Sequence, residues 1–309
     1  MTLAVFLGLY AFAGFRYEGF FSLRVFLGFL GDNAHLGVVA IGMTLVILSG
    51  GIDLSVGSTA GCSCIAAALL IEKSHLHPLL VVAMLIPAGV AFGFTQGYLI
   101  SKFSLPPFLV TLAGLFFCRG LALLLSTESI PINHPFLDSI KQLRIPFGGG
   151  VYFPFQAILF VMLLVAAGII LKFTRFGRTV YAMGGSEQSA HLMGLQVART
   201  RNLVYALSGI CGVLSGLIFA ITTASGNALN GQGLELDAIA AVVIGGTLLS
   251  GGYGSVWGTF LGLLIFATIQ TGLMFDGTLS SWWSKIATGG LLLVFIVLQR
   301  VIQPRQSRS

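Results

Sequence analysis

Apolar side chains run along this chain in long stretches that charged residues interrupt at only a few places. Residues 202–234 and 238–275 contain no Asp, Glu, Lys or Arg; neither do 74–101 and 145–171, and 33–71 is broken only by Asp53. A helix that crosses a bilayer needs about 20 consecutive apolar residues. The runs therefore predict about ten transmembrane helices (range roughly 8–11), at 1–15, 33–50, 55–71, 79–100, 106–125, 153–171, 202–222, 236–250, 255–275 and 283–303. The fold class is all-α: a polytopic helical membrane protein, with one membrane domain over 1–309 and no soluble domain. Two hydrophilic segments stand between the runs. The first, 126–152, is rich in Pro and Gly and reads as an ordered loop cap; the second is 172–201.

Composition sharpens this picture. Of 309 residues 56% are apolar and 8% charged, against about 25% charged in soluble domains, which excludes soluble, disordered and disulfide-scaffold classes. The net charge of +6 is distributed as a topology signal, because Lys and Arg stay on the cytoplasmic side. With a cytoplasmic N-terminus, Lys102, Lys172, Arg175, Arg178, Arg199, Arg201, Arg300, Arg305 and Arg308 lie inside, and Arg16, Arg24, Lys73, Lys141 and Arg144 outside. Both termini are expected in the cytoplasm, 126–152 outside and 172–201 inside. No basic face suited to nucleic acid is left over. The N-terminal run is short for a span and lacks a basic leader, so it does not read as a signal peptide; either the first helix is partial or the start lies upstream. Cys62, Cys64, Cys118 and Cys211 all fall in apolar runs and read as small packing residues.

A weak repeat is visible. AIGMTLVILSGGIDLSVGS (40–58) and AVVIGGTLLSGGYGSVWGT (241–259) align without gaps, running in the same direction. Each reads as two apolar helices joined at a Gly-rich break. Gly-interrupted segments in repeats point to a transporter pathway; the simpler reading is a tight turn between spans.

Chemistry is nearly absent. No P-loop, Gly-x-Ser-x-Gly elbow or His-Glu-x-x-His helix occurs, and the five histidines are scattered. The chain is expected to bind no cofactor or metal, to perform no catalysis, and to leave any ATP hydrolysis to another chain. A few polar residues within the apolar runs need an account. Asp53, in GGIDLS, either orders the helix break or lines a solute path, or sits at the surface capping the next helix; burying a carboxylate costs about 2.5–3.5 kcal/mol on insertion scales. Arg119 needs a partner, for which a carboxylate between helices is favoured. Asp32, Asn33, Glu235 and Asp237 are placed at outer span ends, as helix caps or as groups for sugar hydroxyls. Ser49 and Ser55 flank Asp53 and join Asn33, Asp53, Glu235 and Asp237 as candidate pathway residues. In the inside loop, TRFGRTVYAMGGSEQSAHLMGL has a basic start, a Gly-Gly break and a Ser-capped segment. It predicts a small amphipathic helix lying along the membrane, suited to docking; a plain positive-inside connector is the alternative.

Together NAHLGVVAIGMTLVILSGGIDLSVGS, TLAGLFFCRG, TRFGRTVYAMGGSEQSAHLMGL and LDAIAAVVIGGTLLSGGYGSVWGT resemble the ribose/xylose/arabinose/galactoside class of bacterial ABC sugar-importer permeases, over nearly the whole chain. SIPINHP, ending at Pro135, and FDGTLSSWW at 275–283 are most similar to the second permease subunit of the galactofuranose importer. The resemblance implies an inner-membrane permease with no bound cofactor. It pairs with a second permease chain, a cytoplasmic ABC ATPase and a periplasmic sugar-binding protein, and moves a monosaccharide inward by alternating access. It also implies that Arg175, Gly177, Arg178, Gly184, Gly185, Glu187, Ala190 and Gly194 form the segment coupled to the ATPase. The uncharged, shortened N-terminus departs from the basic start usual in the class. An ion-coupled secondary transporter is the competing class, and it would need more buried ionisable groups than Asp53 and Arg119 to carry its ion.

Overall fold

A computed structural model describes residues 2–148, 150–277 and 282–302. Along the chain the helices are α1 (Thr2–Arg16), α2 (Leu23–Asp32), α3 (Ala34–Leu48), α4 (Val56–Glu72), α5 (Pro78–Phe103) and α6 (Pro107–Leu125). A two-residue strand β1 (Ile130–Pro131), helix α7 (Pro135–Gln142) and a hairpin of β2 (Arg144–Gly148) and β3 (Val151–Pro154) come after them. Next come α8 (Phe155–Phe173), α9 (Arg175–Gly185), α10 (Glu187–Leu192) and α11 (Val197–Thr223). The chain then runs through β4 (Ser225–Gly226), α12 (Leu234–Ile244), α13 (Val256–Asp276) and α14 (Trp282–Ile302). The 126–152 cap is thus more built than a loop. Its β1 pairs with β4, Ile130 opposite Gly226, tying the segment to the end of α11. Of the predicted motifs, Arg305, Arg308 and the TLSS of FDGTLSSWW lie outside the described residues.

Each predicted apolar run contains helix, as a polytopic helical membrane protein requires. Among the described residues α5, α6, α8, α11 and α13 are long and apolar enough to cross a membrane alone, and α2 with α3 makes a sixth if their 58° bend is counted within one span. Beside the Gly-rich breaks the helices are short. α4 is only 17 residues long, and the run predicted to span 236–250 yields an 11-residue helix that ends at Ile244.

Helix α11 is the axis of the bundle, packed against α3, α4 and α5. Glycine lets it approach α5 backbone to backbone: a methyl on Gly93 would strike the Tyr205 carbonyl, and one on Gly97 the Asn202 backbone. Such close packing of small residues holds helices together where lipid removes the hydrophobic drive between them. α5 and α6 are the peripheral pair, with Leu80, Met84, Phe94, Phe108, Phe116 and Leu124 exposed. All four cysteines are free, and Cys64, Cys118 and Cys211 are buried, as packing residues would be.

Candidate functional site

The first break begins where α3 runs out of helix-compatible residues. Gly50 takes φ +84°, a left-handed conformation that costs a side-chain-bearing residue about 1–2 kcal/mol. The N–H of Gly51 then closes the helix on the Val46 carbonyl at 3.0 Å. Asp53 organises the start of α4. Its Oδ1 accepts from the Ser55 backbone N–H (2.9 Å) and from Ser55 Oγ (2.6 Å), and its Oδ2 accepts from Ser208 Oγ on α11 (2.6 Å). Gln96 Nε2 of α5 donates to Ser55 Oγ at 2.9 Å, and Thr111 Oγ1 of α6 donates to the Ile52 carbonyl at 3.1 Å. One carboxylate thus sets the first turn of α4 and joins it to α11. Asp53 is 2% exposed, and its desolvation is offset by three donors. It is buried inside the protein rather than set at a surface. Ser49 lies at the edge of the same break, with Oγ donating to the Val46 carbonyl at 2.7 Å.

The second break, between α12 and α13, lies against the first. The N–H of Gly252 donates to the Leu48 carbonyl at 3.0 Å, so the two halves of the repeat meet at the same end of the bundle through their Ser-Gly-Gly turns. The C-terminal end of α9 fits into that junction. A Cβ on Gly184 would collide at once with the Leu48 carbonyl oxygen and the Gly252 nitrogen. Tyr181 Oη of α9 donates to the Gly254 carbonyl at 3.0 Å. Three Gly-Gly pairs, 50–51, 184–185 and 251–252, therefore stack where one segment touches both breaks. Gly251 and Gly252 were legible only as members of a repeat; nothing local marks them as partners of Gly184.

The α9–α10 segment is two helices rather than one. Thr174 caps α9, its Oγ1 accepting from the Gly177 N–H at 3.1 Å, and Gly177 lies against the Leu171 backbone, where a Cβ would clash. Arg175 and Arg178 are exposed, while Val180 and Met183 turn inward. Ser186 caps α10 by accepting from the Ser189 N–H at 3.2 Å, as the capping pattern predicts. α10 is fastened by Ala190, packed with Met183 and Val197, and by an ion pair of Glu187 with Arg201 at 2.5 Å. Gly185 is exposed beside it. Gly194 ends the segment at φ +75° with open space around it, and Leu192 and Met193 next to it are 82% and 66% exposed.

Glu235 and Asp237 are not at an outer span end. After α11 the chain turns back and descends beside α4 without helical structure, Gly226 against Ile65, Ala228 and Asn230 against Gly61, and Gly231 against Gly57. Only at Leu234 does α12 begin, level with the first turn of α4 and roughly 22 Å along that helix from its far end at 1.5 Å per residue. Non-helical backbone at this depth is tolerated only when buried in protein with its polar groups satisfied. Arg119 does this: Nη1 donates to the Ala228 carbonyl at 2.6 Å and to the Asn230 carbonyl at 3.4 Å. The carboxylate expected near Arg119 is Glu235, which acts on it electrostatically without a direct ion pair among the described residues; the hydrogen bonds of the guanidinium go instead to two carbonyls of the non-helical segment. Replacing Arg119 with Gln shortens this reach, so Arg119→Gln should lower the thermal midpoint of the detergent-purified protein by several degrees and open 227–233 to proteolysis. An unchanged midpoint would overturn the assignment.

Glu235 is 9% exposed, and Asp237 Oδ2 accepts from Lys285 Nζ at 3.4 Å. The six candidate pathway residues therefore separate. Ser49, Asp53 and Ser55 share the first break; Glu235 and Asp237 stand across the first turn of α4 from it. Asn33 lies at the other end of α3, in the α2–α3 bend, with Nδ2 donating to the Phe29 carbonyl at 3.1 Å. No cluster of His, Cys, Asp and Glu able to hold a metal occurs among the described residues.

Broken helices, a half-span reached by an extended segment, and a short helical pair seated on two glycine breaks define a polytopic helical membrane protein. The family model described as branched-chain amino acid transport system / permease component matches residues 25–296, and the chain belongs to that family. It is 48% identical over 300 residues to the inner membrane ABC transporter permease protein YjfF of Escherichia coli K12, covering 97% of this chain and 91% of that one. It is 37% identical to the fructose import permease protein FruG of Bifidobacterium longum (92% and 86% covered) and 38% identical to the ribose import permease protein RbsC of Bacillus subtilis (89% and 84%). No solved structure matches.

Proposed function

We propose that this chain is the membrane permease subunit of an ATP-driven importer that moves a monosaccharide, galactofuranose in particular, from periplasm to cytoplasm by alternating access. It would work beside a second permease chain, with a periplasmic binding protein delivering sugar to the 126–152 side and a separate ABC ATPase on the 172–201 side. Both termini would be cytoplasmic in the bacterial inner membrane, and the chain would bind no cofactor. Three things support this reading: relatives named for fructose and ribose import, the positive charge of 172–201, and the SIPINHP and FDGTLSSWW strings that favour galactofuranose. The observation that carries it is the seat of α9–α10 on both helix breaks. An ATPase pressing on the exposed Leu192, Met193 and Gly194 would act through α10 and α9 on the Gly184 junction. From there the motion would reach α3–α4 and α12–α13 together. Selectivity would rest with the binding protein.

Reconstitution tests this. The chain would be co-expressed with the permease, ATPase and binding-protein genes beside its own, and ATP hydrolysis measured in liposomes. Hydrolysis stimulated by galactofuranose-loaded binding protein, and lost without this chain, supports class and substrate. Stimulation only by another sugar keeps the class and removes the substrate, while uptake indifferent to ATP overturns the class. Within the same assay Gly194→Glu should abolish uptake while the protein still inserts, whereas Gly194→Asn, which tolerates positive φ, should keep most of it. Normal uptake by Gly194→Glu would remove Gly194 from the docking surface.

A further inference from the structure

The 126–152 cap is pinned on both sides of α7. Ahead of it β1 pairs with β4, and the Ile132 N–H donates to the Ala224 carbonyl at 2.8 Å. After it the β2–β3 hairpin leads directly into α8. Between these pins Leu137, Phe136 and Ile140 share one apolar cluster with Ile71, Val81 and Ala220, and polar contacts reach the α4–α5 turn. Glu72 Oε1 accepts from the Asn133 N–H at 2.7 Å. His77 caps α5, its Nδ1 accepting from the Leu79 N–H at 3.3 Å, and His134 caps α7, its Nδ1 accepting from the Phe136 N–H at 3.2 Å. The two rings meet edge to face with centroids 5.6 Å apart, and the His77 ring also lies 4.9 Å from that of Phe136.

An Nδ1 that accepts a hydrogen bond carries no proton. Protonation therefore removes both caps and leaves two imidazolium rings side by side. Each would stand at a helix N-terminus that already carries about half a positive charge. Imidazole is the side chain whose charge ordinarily changes between about pH 5 and 8. The fixed charges around the rings balance: Glu72 and Lys73 follow one another at the end of α4, and α7 carries Asp138 and Lys141. His75 in the turn adds another group of the same kind, and the runs 145–171 of α8 and 202–234 of α11 supply no charge.

We propose that His77 and His134 form a pH-sensitive clasp, which holds α7 against the α4–α5 turn when both rings are neutral and frees it when both are charged. α7 would then lift between its two pins while the helical bundle stays folded. The clasp itself is independent of the importer reading. On that reading the cap faces the periplasm, and lifting α7 would spoil the surface on which sugar-loaded binding protein docks.

Hydrogen exchange on the full chain in detergent, at about pH 8 and about pH 5, tests the clasp. It is read as protection factors, which remove the intrinsic pH dependence of exchange. Protection of 135–142 should fall at least tenfold on acidification in wild type, with that of 202–220 unchanged. The double variant His77→Asn, His134→Asn keeps an acceptor at each cap, since Asn caps helices well, and takes up no proton. Its protection should change less than twofold. Equal protection of wild type at both pH values overturns the clasp, and so does an undiminished fall in the double variant. If the double variant fails to fold, the single Asn variants decide: each should lose part of the fall, and a full fall in both overturns the pairing. In the reconstituted transporter, stimulation of ATP hydrolysis by loaded binding protein should drop at least threefold over the same range in wild type and not in the double variant. A clasp that opens without this drop overturns the regulatory role. A transporter that never answers to loaded binding protein overturns the importer reading and leaves the clasp standing.

Discussion

Replacing Gly184 with alanine is expected to abolish uptake and sugar-stimulated ATP hydrolysis while leaving insertion and ATPase binding intact. The added methyl points at the Leu48 carbonyl oxygen and the Gly252 nitrogen, and these are backbone atoms already bonded to each other at 3.0 Å. Neither can rotate aside as a side chain would. Either the Leu48–Gly252 bond breaks or α9 lifts off both breaks. Close packing transmits such a displacement instead of absorbing it. The proposed docking surface at Leu192–Gly194 lies past α10 from the clash, so the ATPase should still co-purify. A loss of at least tenfold in uptake with normal co-purification is the expected result. Uptake within twofold of wild type would show that the three-way glycine contact transmits nothing.

The second large effect is at Asp53, where two substitutions should part company. Asp53→Ala leaves the Ser55 N–H and the Ser55 and Ser208 hydroxyls without their acceptor. Each buried donor so stranded costs about 1–3 kcal/mol, and allowing for hydroxyls that find new carbonyls, a loss of about 2–4 kcal/mol is expected. The variant should aggregate on extraction or unfold well below wild type in a heated size-exclusion assay. Asp53→Asn can keep its carbonyl oxygen on the Ser55 N–H and turn its amide toward Ser208, whose hydroxyl can accept as well as donate. It should fold and retain uptake. A stable Asp53→Asn protein that transports nothing would mean that the charge itself meets the solute, and that ordering the break is its secondary role. The 2% exposure of Asp53 favours ordering, as do its three bonds within the protein.

Much of this could be read from residues in order. Charge-free runs long enough to span predict helices in lipid, because a helix satisfies its backbone within the segment. Ser186 was legible as a cap because capping is settled within one turn. The two Ser-Gly-Gly breaks were legible as well, since glycine at a helix end is a local signal. The strings around GGIDLSVGS and MGGSEQSAHLMG were enough for the family.

Depth and partnership were not legible. Glu235 looked like the outer end of a span because the half-span before it, 224–233, is as free of charge as a helix in lipid would be. It is unwound because it lies between α4 and the Arg119 guanidinium, and that arginine sits 109 and 111 positions from the carbonyls it serves. Likewise the repeat announced two glycine breaks, but their contact joins Leu48 to Gly252, and the third member, Gly184, comes from a different segment altogether. His77 and His134 read as two of five scattered histidines, and nothing in their spacing shows that their rings meet. Local chemistry decided which segments are helical, where they break and which residues cap them, because those energies are set within a few residues. Which breaks touch, which carboxylate is buried and which histidines meet depended on close packing between distant segments, and only the tertiary structure decided that.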